Sequence, residues 1–206
     1  MSIFFSLIVI LFSAIIHEYM HGWMADYLGD PTAKNEGRLT LNPINHIDLW
    51  GSIILPAMLY FTTAGSFMFG YAKPVPFNPY NLRDQKYGAA KVAIAGPLAN
   101  LITAIFFGII LRFILSYGDS MGLNSNLVIL FATIVQINLM LMVFNLLPIP
   151  PLDGSKVIAP FLPRAWEEGM MKLEQYGMIL VLFFVMFGFQ IIVPVISFLF
   201  RVIVGV

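Results

Sequence analysis

The 206-residue chain contains no cysteine, which excludes disulfide bonds and thiolate metal sites. Charged residues are also scarce, at 11% against about 25% in an average soluble domain. So few charges cannot cover a water-facing surface, and 59% of the residues are hydrophobic. The 11 basic and 11 acidic residues cancel, so nothing indicates nucleic acid as a partner. We therefore expect a protein whose main solvent is the lipid bilayer.

Apolar runs close to the roughly 20-residue length of a membrane helix recur along the chain. Five such runs are expected to be membrane helices or candidates for them, and a shorter sixth run begins at Pro194: 3–27, 49–70, 89–117, 127–148, 173–193 and 194–206. The expected fold is an all-α polytopic membrane protein with five to six membrane helical segments. Residues 1–206 are expected to form a single integral-membrane domain, with a core at 3–157 and C-terminal helices at 173–206.

Basic residues favour one topology for the segment 49–70. Nine of the eleven lysines and arginines lie in or beside the connections 28–48, 71–88 and 149–172. Basic connections prefer the cytoplasmic side, so 49–70 is expected to be a re-entrant segment that enters the membrane and returns. Helix-breaking residues within the segment, such as Gly51 and Pro56, also favour a re-entrant structure. Irregular backbone is tolerated at membrane depth where protein or water forms hydrogen bonds with its polar groups. A simple spanning helix is the alternative.

The stretch IIHEYMHGW, residues 15–23, places two histidines and a glutamate inside an apolar run. His17 and His21 are four residues apart, so on a helix they share one face. Glu18 follows the first histidine, which completes the His-Glu-x-x-His arrangement of zinc hydrolases. A pair of buried, hydrogen-bonded histidines is the alternative, but ionisable residues inside a membrane are costly and indicate function by default.

A catalytic zinc site needs a third protein ligand, which here must be an aspartate, a glutamate or the remaining His46. The candidate is Asp153, because it follows an apolar helix that breaks at Pro148 and two later prolines. These prolines unwind the chain, and Gly154 is expected to permit a tight turn that returns the carboxylate to the membrane level. Taken alone, an Asp-Gly turn at the interface is the more usual explanation. His46 is expected in an interfacial loop.

Two motifs together resemble the signature of the site-2 protease family of intramembrane zinc metalloproteases. They are HEYMH and NLLPIPPLDG, residues 145–154, and three supporting stretches follow the family's order: GRLTLNPINHIDLWG, AKPVPFNPYNLRD and AGPLAN. The chain resembles the minimal bacterial or archaeal branch, which lacks PDZ-type and nucleotide-sensing domains.

The resemblance implies one zinc ion (Zn²⁺) per chain, held by His17, His21 and Asp153. It also implies that Glu18 is the catalytic acid/base and that Asn145 faces the reaction centre, where an amide can stabilise a developing oxyanion. The implied activity is cleavage of single-span transmembrane proteins in a prokaryotic cell membrane. The histidines lie roughly 22 Å along the first helix, so a helix that enters from outside puts the site towards the cytoplasm. The oligomeric state stays open.

A transmembrane substrate must unwind locally before it is cut, so something must hold its extended backbone. GRLTL, residues 37–41, and KPVPF, residues 73–77, are candidates for short interfacial β-strands or hairpins, since alternating prolines forbid helix. Their apolar side chains are the candidate substrate-binding residues: Leu39, Leu41, Val75 and Phe77. Bracing of the membrane interface is an equally good interpretation of both stretches.

Three polar or small residues are expected to support the centre from neighbouring helices. Gly96 is expected to allow close packing beside the histidines, and Asn100 to orient one of the metal ligands. Asn138 is expected to form hydrogen bonds between helices. The main alternative function is a transporter or ion-handling protein that binds a divalent metal at the same residues. That alternative predicts that Glu18→Gln leaves metal flux intact.

Overall fold

The computed structural model describes residues 3–62, 70–118, 122, 124 and 126–205, and most of these residues are helical. The α-helices in this part of the chain are, in order, α1 (Ile3–Tyr27), α2 (Thr32–Asn35), α3 (Leu55–Thr62), α4 (Gly88–Tyr117), α5 (Asn126–Asn145), α6 (Asp153–Ile158), α7 (Arg164–Glu174), α8 (Gly177–Phe183) and α9 (Phe189–Val204). Shorter 3₁₀ and π-helical pieces lie at Pro43–Asn45, Leu49–Ile54, Pro79–Asn81, Ala159–Phe161 and Phe184–Gly188.

The described residues form no β-strand, so the short strands expected at 37–41 and 73–77 are not found there. Residues 73–77 form neither a helix nor a strand. Pro74 and Pro76 have no N–H to donate to a ladder. The guanidinium of Arg38 binds the carbonyls of Lys73 and Pro74, which a strand partner would otherwise use.

Four helical stretches in the described residues are long and apolar enough to cross a membrane: Phe4–Tyr27, Gly88–Tyr117, Asn126–Asn145 and Gly177–Val204. The last stretch joins α8 and α9 through a π-helical piece and passes Pro194 without ending. The runs expected at 173–193 and 194–206 therefore belong largely to one helical stretch. Proline removes one backbone hydrogen bond, and membrane helices tolerate that loss where neighbouring groups compensate.

The segment 49–70 is described up to Thr62 and again at Gly70, and residues 63–69 lie outside the described part. Its two ends meet. The Tyr71 N–H donates to the Gly51 carbonyl at 3.0 Å, and the Ser52 hydroxyl donates to the Tyr71 carbonyl at 2.9 Å. The chain thus enters and leaves this segment at one place.

Helix α4 lies at the centre of the bundle and contacts α1, α5, α6 and α9. An apolar cluster joins α4, α5 and α9 and includes Leu111, Val135, Leu139 and Ile192. Many buried residues of α4 are small, and one of them, Gly96, faces the histidines of α1. Small residues let helix backbones approach closely, which brings the polar face of α1 against α4 and α6.

Candidate metal centre

The structure brings together the three residues expected to bind metal. His17 and His21 lie on α1, and Asp153 is the first residue of α6. His17 Nε2 is 3.0 Å and His21 Nε2 is 3.3 Å from the same oxygen, Asp153 Oδ2. Within the part of the chain that the structure describes, these side chains form a group able to hold one metal ion, with ligand atoms within 4.8 Å of one another.

The spacing of these atoms fits zinc. Two ligand atoms that each lie about 2.0–2.1 Å from a tetrahedral zinc ion are separated by about 3.3 Å. The observed separations of 3.0 and 3.3 Å match that value closely. Two imidazoles and one carboxylate also match the ligand set of catalytic zinc sites, which leave one position open.

The hydrogen bonds behind the rings support the same conclusion. His17 Nδ1 is 2.6 Å from Asn100 Oδ1, and His21 Nδ1 is 2.7 Å from the Val92 carbonyl. Both partners are acceptors, so each Nδ1 donates and each neutral ring keeps a lone pair on Nε2. The lone pairs of the two Nε2 atoms and the carboxylate oxygen therefore converge on one point. Lone pairs that face one another at this distance repel unless a cation lies between them, so the donor set fits a divalent cation.

Gly96 faces the centre from α4. A Cβ atom at this position would lie 2.5 Å from His21 Nε2 and 2.6 Å from His17 Nε2. Any side chain would therefore collide with the metal-facing nitrogens. The expected close packing at Gly96 is present, and its effect is to keep this space free.

Buried amides connect the centre to two further helices. Asn100 donates to the Ser13 carbonyl at 3.2 Å and to Asn138 Oδ1 at 3.0 Å. Asn138 donates to the Ser13 hydroxyl at 3.0 Å. Both asparagines are fully buried, and both make the contacts that the sequence predicts for them. The network ties α1, α4 and α5 together next to His17.

Glu18 is half-buried, and its partner is a backbone group that sequence reasoning missed. The Val75 N–H donates to Glu18 Oε2 at 2.9 Å. The sequence does contain a signal, because Val75 lies between Pro74 and Pro76. It therefore carries the sole backbone donor of the stretch 74–76.

The connection from α5 to α6 leaves the helix at the prolines and brings the Asp153 carboxylate back to the two histidines. Asp153 is the first helical residue after Leu152, whose backbone is extended. Gly154 does not form a left-handed turn. A Cβ at Gly154 would collide with the carbonyl oxygens of Leu146 and Leu147, so glycine is needed here for close approach of two backbones. The Ser155 N–H donates to the Leu152 carbonyl at 3.1 Å, which closes a tight turn through Asp153 and Gly154.

The other residues selected from the sequence make different contacts. Asn145 ends α5, and its amide donates to the Leu141 carbonyl at 2.9 Å. Leu39 and Val75 pack against α1 at Gly22. His46 lies apart from the three-residue group, and its Nε2 is 2.7 Å from the Thr40 carbonyl.

Leu41 and Phe77 differ in exposure. Leu41 is 56% exposed. Phe77 packs against a small cluster formed by Ala25, Leu82 and Val92. Three of the four candidate substrate-binding side chains, Leu39, Val75 and Phe77, thus pack within the protein.

A buried aspartate after α1, Asp30, was also not predicted from the sequence. Asp30 is 0% exposed and accepts hydrogen bonds from Thr32, the Asn78 N–H and the Asn81 amide. Burial alone would raise the pKa of this carboxyl, but these hydrogen bonds outweigh it and lower the pKa below its ordinary value. The local signal was the Asp-Pro-Thr sequence, in which an aspartate caps the following turn.

Comparison with known proteins places this geometry in a family. The family model described as Peptidase family M50 matches residues 113–189, which include Asn145 and Asp153. A Bacillus subtilis (strain 168) protein named "Putative zinc metalloprotease YwhC" is 38% identical over 194 residues, covering 92% of this chain and 84% of that protein. No solved structure matches the chain.

More distant relatives come from mycobacteria. "Putative zinc metalloprotease Rip2" of Mycolicibacterium smegmatis is 29% identical over 171 residues, covering 83% of this chain and 62% of that protein. The protein of the same name in Mycobacterium tuberculosis (strain H37Rv) is 27% identical over 172 residues, with coverages of 84% and 62%. Because the similarity to the Bacillus protein extends over most of both chains, the present chain belongs to Peptidase family M50 and is a zinc metalloprotease of the membrane.

Proposed function

We propose that this metalloprotease cuts single-span transmembrane proteins within the membrane, close to the cytoplasmic face, as in regulated intramembrane proteolysis. The observation that carries the proposal is the position of the three-residue group. His17 and His21 belong to the apolar span Phe4–Tyr27 and meet Asp153 there. His17 lies ten residues before Tyr27, about 15 Å along the helix, which is membrane depth for a helix of this length.

His17, His21 and Asp153 would hold one zinc ion through the nitrogen and oxygen atoms that converge in the structure. When bound, zinc supplies Lewis-acid chemistry that polarises the scissile carbonyl and acidifies water. Asn100 and the Val92 carbonyl orient the two imidazoles for this role. Gly96 leaves room for the substrate carbonyl beside them.

Glu18 is the proposed general base and acid. One carboxylate oxygen, Oε2, is held by the Val75 N–H, which leaves the other oxygen to accept a proton from the attacking water. The same carboxyl then gives that proton to the leaving amine. The amide of Asn145 has two N–H groups, and one of them donates to the Leu141 carbonyl. The second can donate to the developing negative charge, an interaction worth about 3 kcal/mol when well aimed.

The substrate path is proposed to run along residues 73–77. Because the Val75 N–H contacts Glu18, an extended peptide that reaches Glu18 must pass beside this stretch. Leu39, Val75 and Phe77 would then shape the wall of the path from within the fold. Leu41, which is exposed, would contact the substrate directly.

The cytoplasmic orientation and the re-entrant segment belong to the same proposal. If 49–70 returns to the side from which it enters, nine of the eleven lysines and arginines share one face of the membrane. The hydrogen bonds that join Tyr71 to Gly51 and Ser52 support that return.

The test is cleavage of single-span model substrates by purified protein in liposomes. Wild type should cut, and a chelator should stop cleavage until zinc is added back. Glu18→Gln should retain stoichiometric zinc and lose at least about a thousandfold in cleavage rate, because the general base is gone. Wild-type protein that contains zinc, and cuts a soluble peptide of the same sequence but never the membrane-embedded substrate, would contradict an intramembrane activity.

A further inference from the structure

We propose that Asp30 and Arg38 are positioning residues that hold residues 73–78, here called the clamped segment, so that the Val75 amide reaches Glu18. The proposal rests on the proposed role of Glu18. It concerns two residues that do not contact the metal-ligand group or the glutamate itself.

Both residues are buried charges without an ion-pair partner in the described part of the chain. Asp30 is 0% exposed and Arg38 is 8% exposed. The ion pairs among the described residues involve other side chains, such as Lys34 with Asp26 and Lys91 with Asp84. Burying a charge without an ion-pair partner costs free energy, so its hydrogen bonds must offset that cost or have a functional role.

Arg38 and Asp30 direct hydrogen bonds to the backbone of the same six residues. The Arg38 Nη2 donates to the Lys73 carbonyl at 2.9 Å and to the Pro74 carbonyl at 3.3 Å. Asp30 Oδ2 accepts from the Asn78 N–H at 2.6 Å. These contacts lie on either side of Val75, so the backbone is held before and after the residue that meets Glu18.

The proline pattern explains why a clamp is needed. Pro74 and Pro76 have no N–H, and the Lys73 N–H already donates to the His46 carbonyl at 2.9 Å. Val75 therefore supplies the one backbone donor of residues 73–76 that is free to reach Glu18. A segment that rotated or slid by one residue would present a proline and no donor to the glutamate.

The clamping residues and Glu18 also come from one continuous part of the chain. Glu18 lies on α1, Asp30 follows the end of that helix, and Arg38 follows α2. The residues that hold the clamped segment thus lie in the stretch of chain that directly follows α1, the helix that carries Glu18. Their positions relative to Glu18 depend on this one part of the chain. This arrangement can fix the carboxylate orientation without any contact to the metal ligands.

The first test compares steady-state cleavage by Arg38→Met, Arg38→Lys and Asp30→Asn with wild type. Arg38→Met should keep one zinc per chain and an unchanged KM, while kcat falls at least about tenfold, the change expected for one lost hydrogen bond to a charged group. Arg38→Lys should restore part of kcat, since an ammonium can still donate to the two carbonyls. Asp30→Asn should lower kcat in the same way.

Asn45→Ala is the matched control. Its side chain donates to the Gly37 carbonyl at 3.1 Å, next to Arg38, and this hydrogen bond does not involve the clamped segment. This variant should retain wild-type kcat. Equal losses of kcat, zinc content and folded protein in Arg38→Met would show a purely structural role and overturn the proposal.

The second test removes the Val75 N–H by replacing the residue with its α-hydroxy acid, so that the backbone contains an ester. The Pro74 carbonyl becomes a weaker acceptor for Arg38, whereas the bond from Arg38 to the Lys73 carbonyl is unchanged. This change should lower kcat at least about tenfold with zinc retained. Adding Arg38→Met to the ester protein should produce little further loss, because both changes remove one interaction. Fully additive losses, or an ester protein with wild-type kcat, would refute the clamp.

Glu18→Gln is measured in parallel to separate the two proposals. If Glu18→Gln cleaves as fast as wild type, the role of Glu18 is wrong and the clamp is wrong with it. If Glu18→Gln is inactive and the ester protein is fully active, the clamp alone is refuted.

Discussion

At the residue scale, the space beside the metal-facing nitrogens is kept open by Gly96. Its Cα lies on α4, opposite the histidine face of α1, and a Cβ there would reach both Nε2 atoms. Alanine is a better helix former than glycine by about 1 kcal/mol, so α4 itself has no need of glycine at this position. The glycine is therefore explained by the centre and not by the helix.

We expect Gly96→Ala to lower zinc content well below one per chain and to reduce proteolysis in parallel. The added methyl group lies closer to the two nitrogens than any real Cβ contact allows, so the rings or the helices must separate. Metal analysis of the purified protein, together with helicity by circular dichroism, checks this prediction.

Gly169→Ala is the control, because a Cβ at that helical position meets nothing within 4 Å. It should keep wild-type zinc and activity. A Gly96→Ala protein with full zinc occupancy would show that the centre tolerates a methyl group between α4 and the histidines, and the role assigned to Gly96 would be wrong.

Asn100 provides a second prediction at this scale. Its Oδ1 accepts from His17 Nδ1, so Asn100→Ala removes the group that fixes the ring and its tautomer. Losses of this kind cost about 10- to 100-fold in metal affinity. Zinc competition with a chromophoric chelator measures the effect.

The control for Asn100 is Thr103→Ala, on the same helix. Thr103 donates to the Ala99 carbonyl at 2.8 Å, a local bond within α4. Its loss should leave zinc affinity unchanged. Equal affinity of Asn100→Ala and wild type would remove Asn100 from the metal centre.

At the scale of elements, the turn after α1 depends on the charge of Asp30. The folded protein lowers the pKa of this carboxyl, so the ionised form is favoured more in the folded than in the unfolded chain. Asp30 therefore contributes stability above the ordinary aspartate pKa of about 4, and this contribution is lost as pH falls through the lower, folded value.

We expect Asp30→Asn to lower the free energy of unfolding at pH 7 by about 1–3 kcal/mol, because the amide leaves buried donors without an acceptor. The difference in thermal midpoint between the two proteins in detergent should stay constant from about pH 7 to about 5 and shrink below about pH 4. Thermal unfolding across this pH range provides the measurement.

Asp84→Asn is the reference for a more exposed carboxyl that also accepts hydrogen bonds. Lys91 lies 2.6 Å from Asp84 and lowers its pKa in the same direction, but the pair faces solvent. This variant should remain near wild type at every pH. A gap between Asp30→Asn and wild type that stays constant down to about pH 3 would contradict the role assigned to the Asp30 charge.

The secondary-structure elements also show which features of the site can be predicted from the sequence. His17, Glu18 and His21 lie within one helix, where residue spacing alone fixes their relative positions, so the pattern was recognisable. Asp153 could be proposed from the prolines before it. In contrast, three hydrogen bonds join residues that are far apart in the sequence: Asn100 with His17, Val75 with Glu18, and Asp30 with Asn78. Those contacts depend on how α1, α4 and the loops pack, which no local pattern encodes.

The C-terminal helix illustrates a second limit. Pro194 suggested a boundary at 193, because proline ends helices in water. The structure continues α9 past it to Val204. An exposed backbone carbonyl has no water to bind in lipid, so leaving the helix costs more there than losing a single hydrogen bond.

At the scale of the whole molecule, the outer surface is apolar in the four membrane-crossing candidates. Large side chains such as Ile102, Phe187 and Ile191 are exposed on these helices. The polar groups of the centre instead point inwards between α1, α4 and α6. An apolar surface around a polar interior is expected where lipid is the solvent and a buried pocket must hold water and zinc.

The last prediction concerns the sides of the membrane. The chain has no cysteine, so single cysteines can be introduced without a background. Lys34 and Lys86 are exposed and flank the segment 49–70, whereas Asn124 lies in the connection between α4 and α5. We expect Lys34→Cys and Lys86→Cys to react with a membrane-impermeant maleimide only after cells are permeabilised, and Asn124→Cys to react in intact cells. Opposite behaviour of Lys34→Cys and Lys86→Cys would mean that 49–70 crosses the membrane. The positive-inside argument would then fail, because the basic connections before and after this segment would lie on different faces.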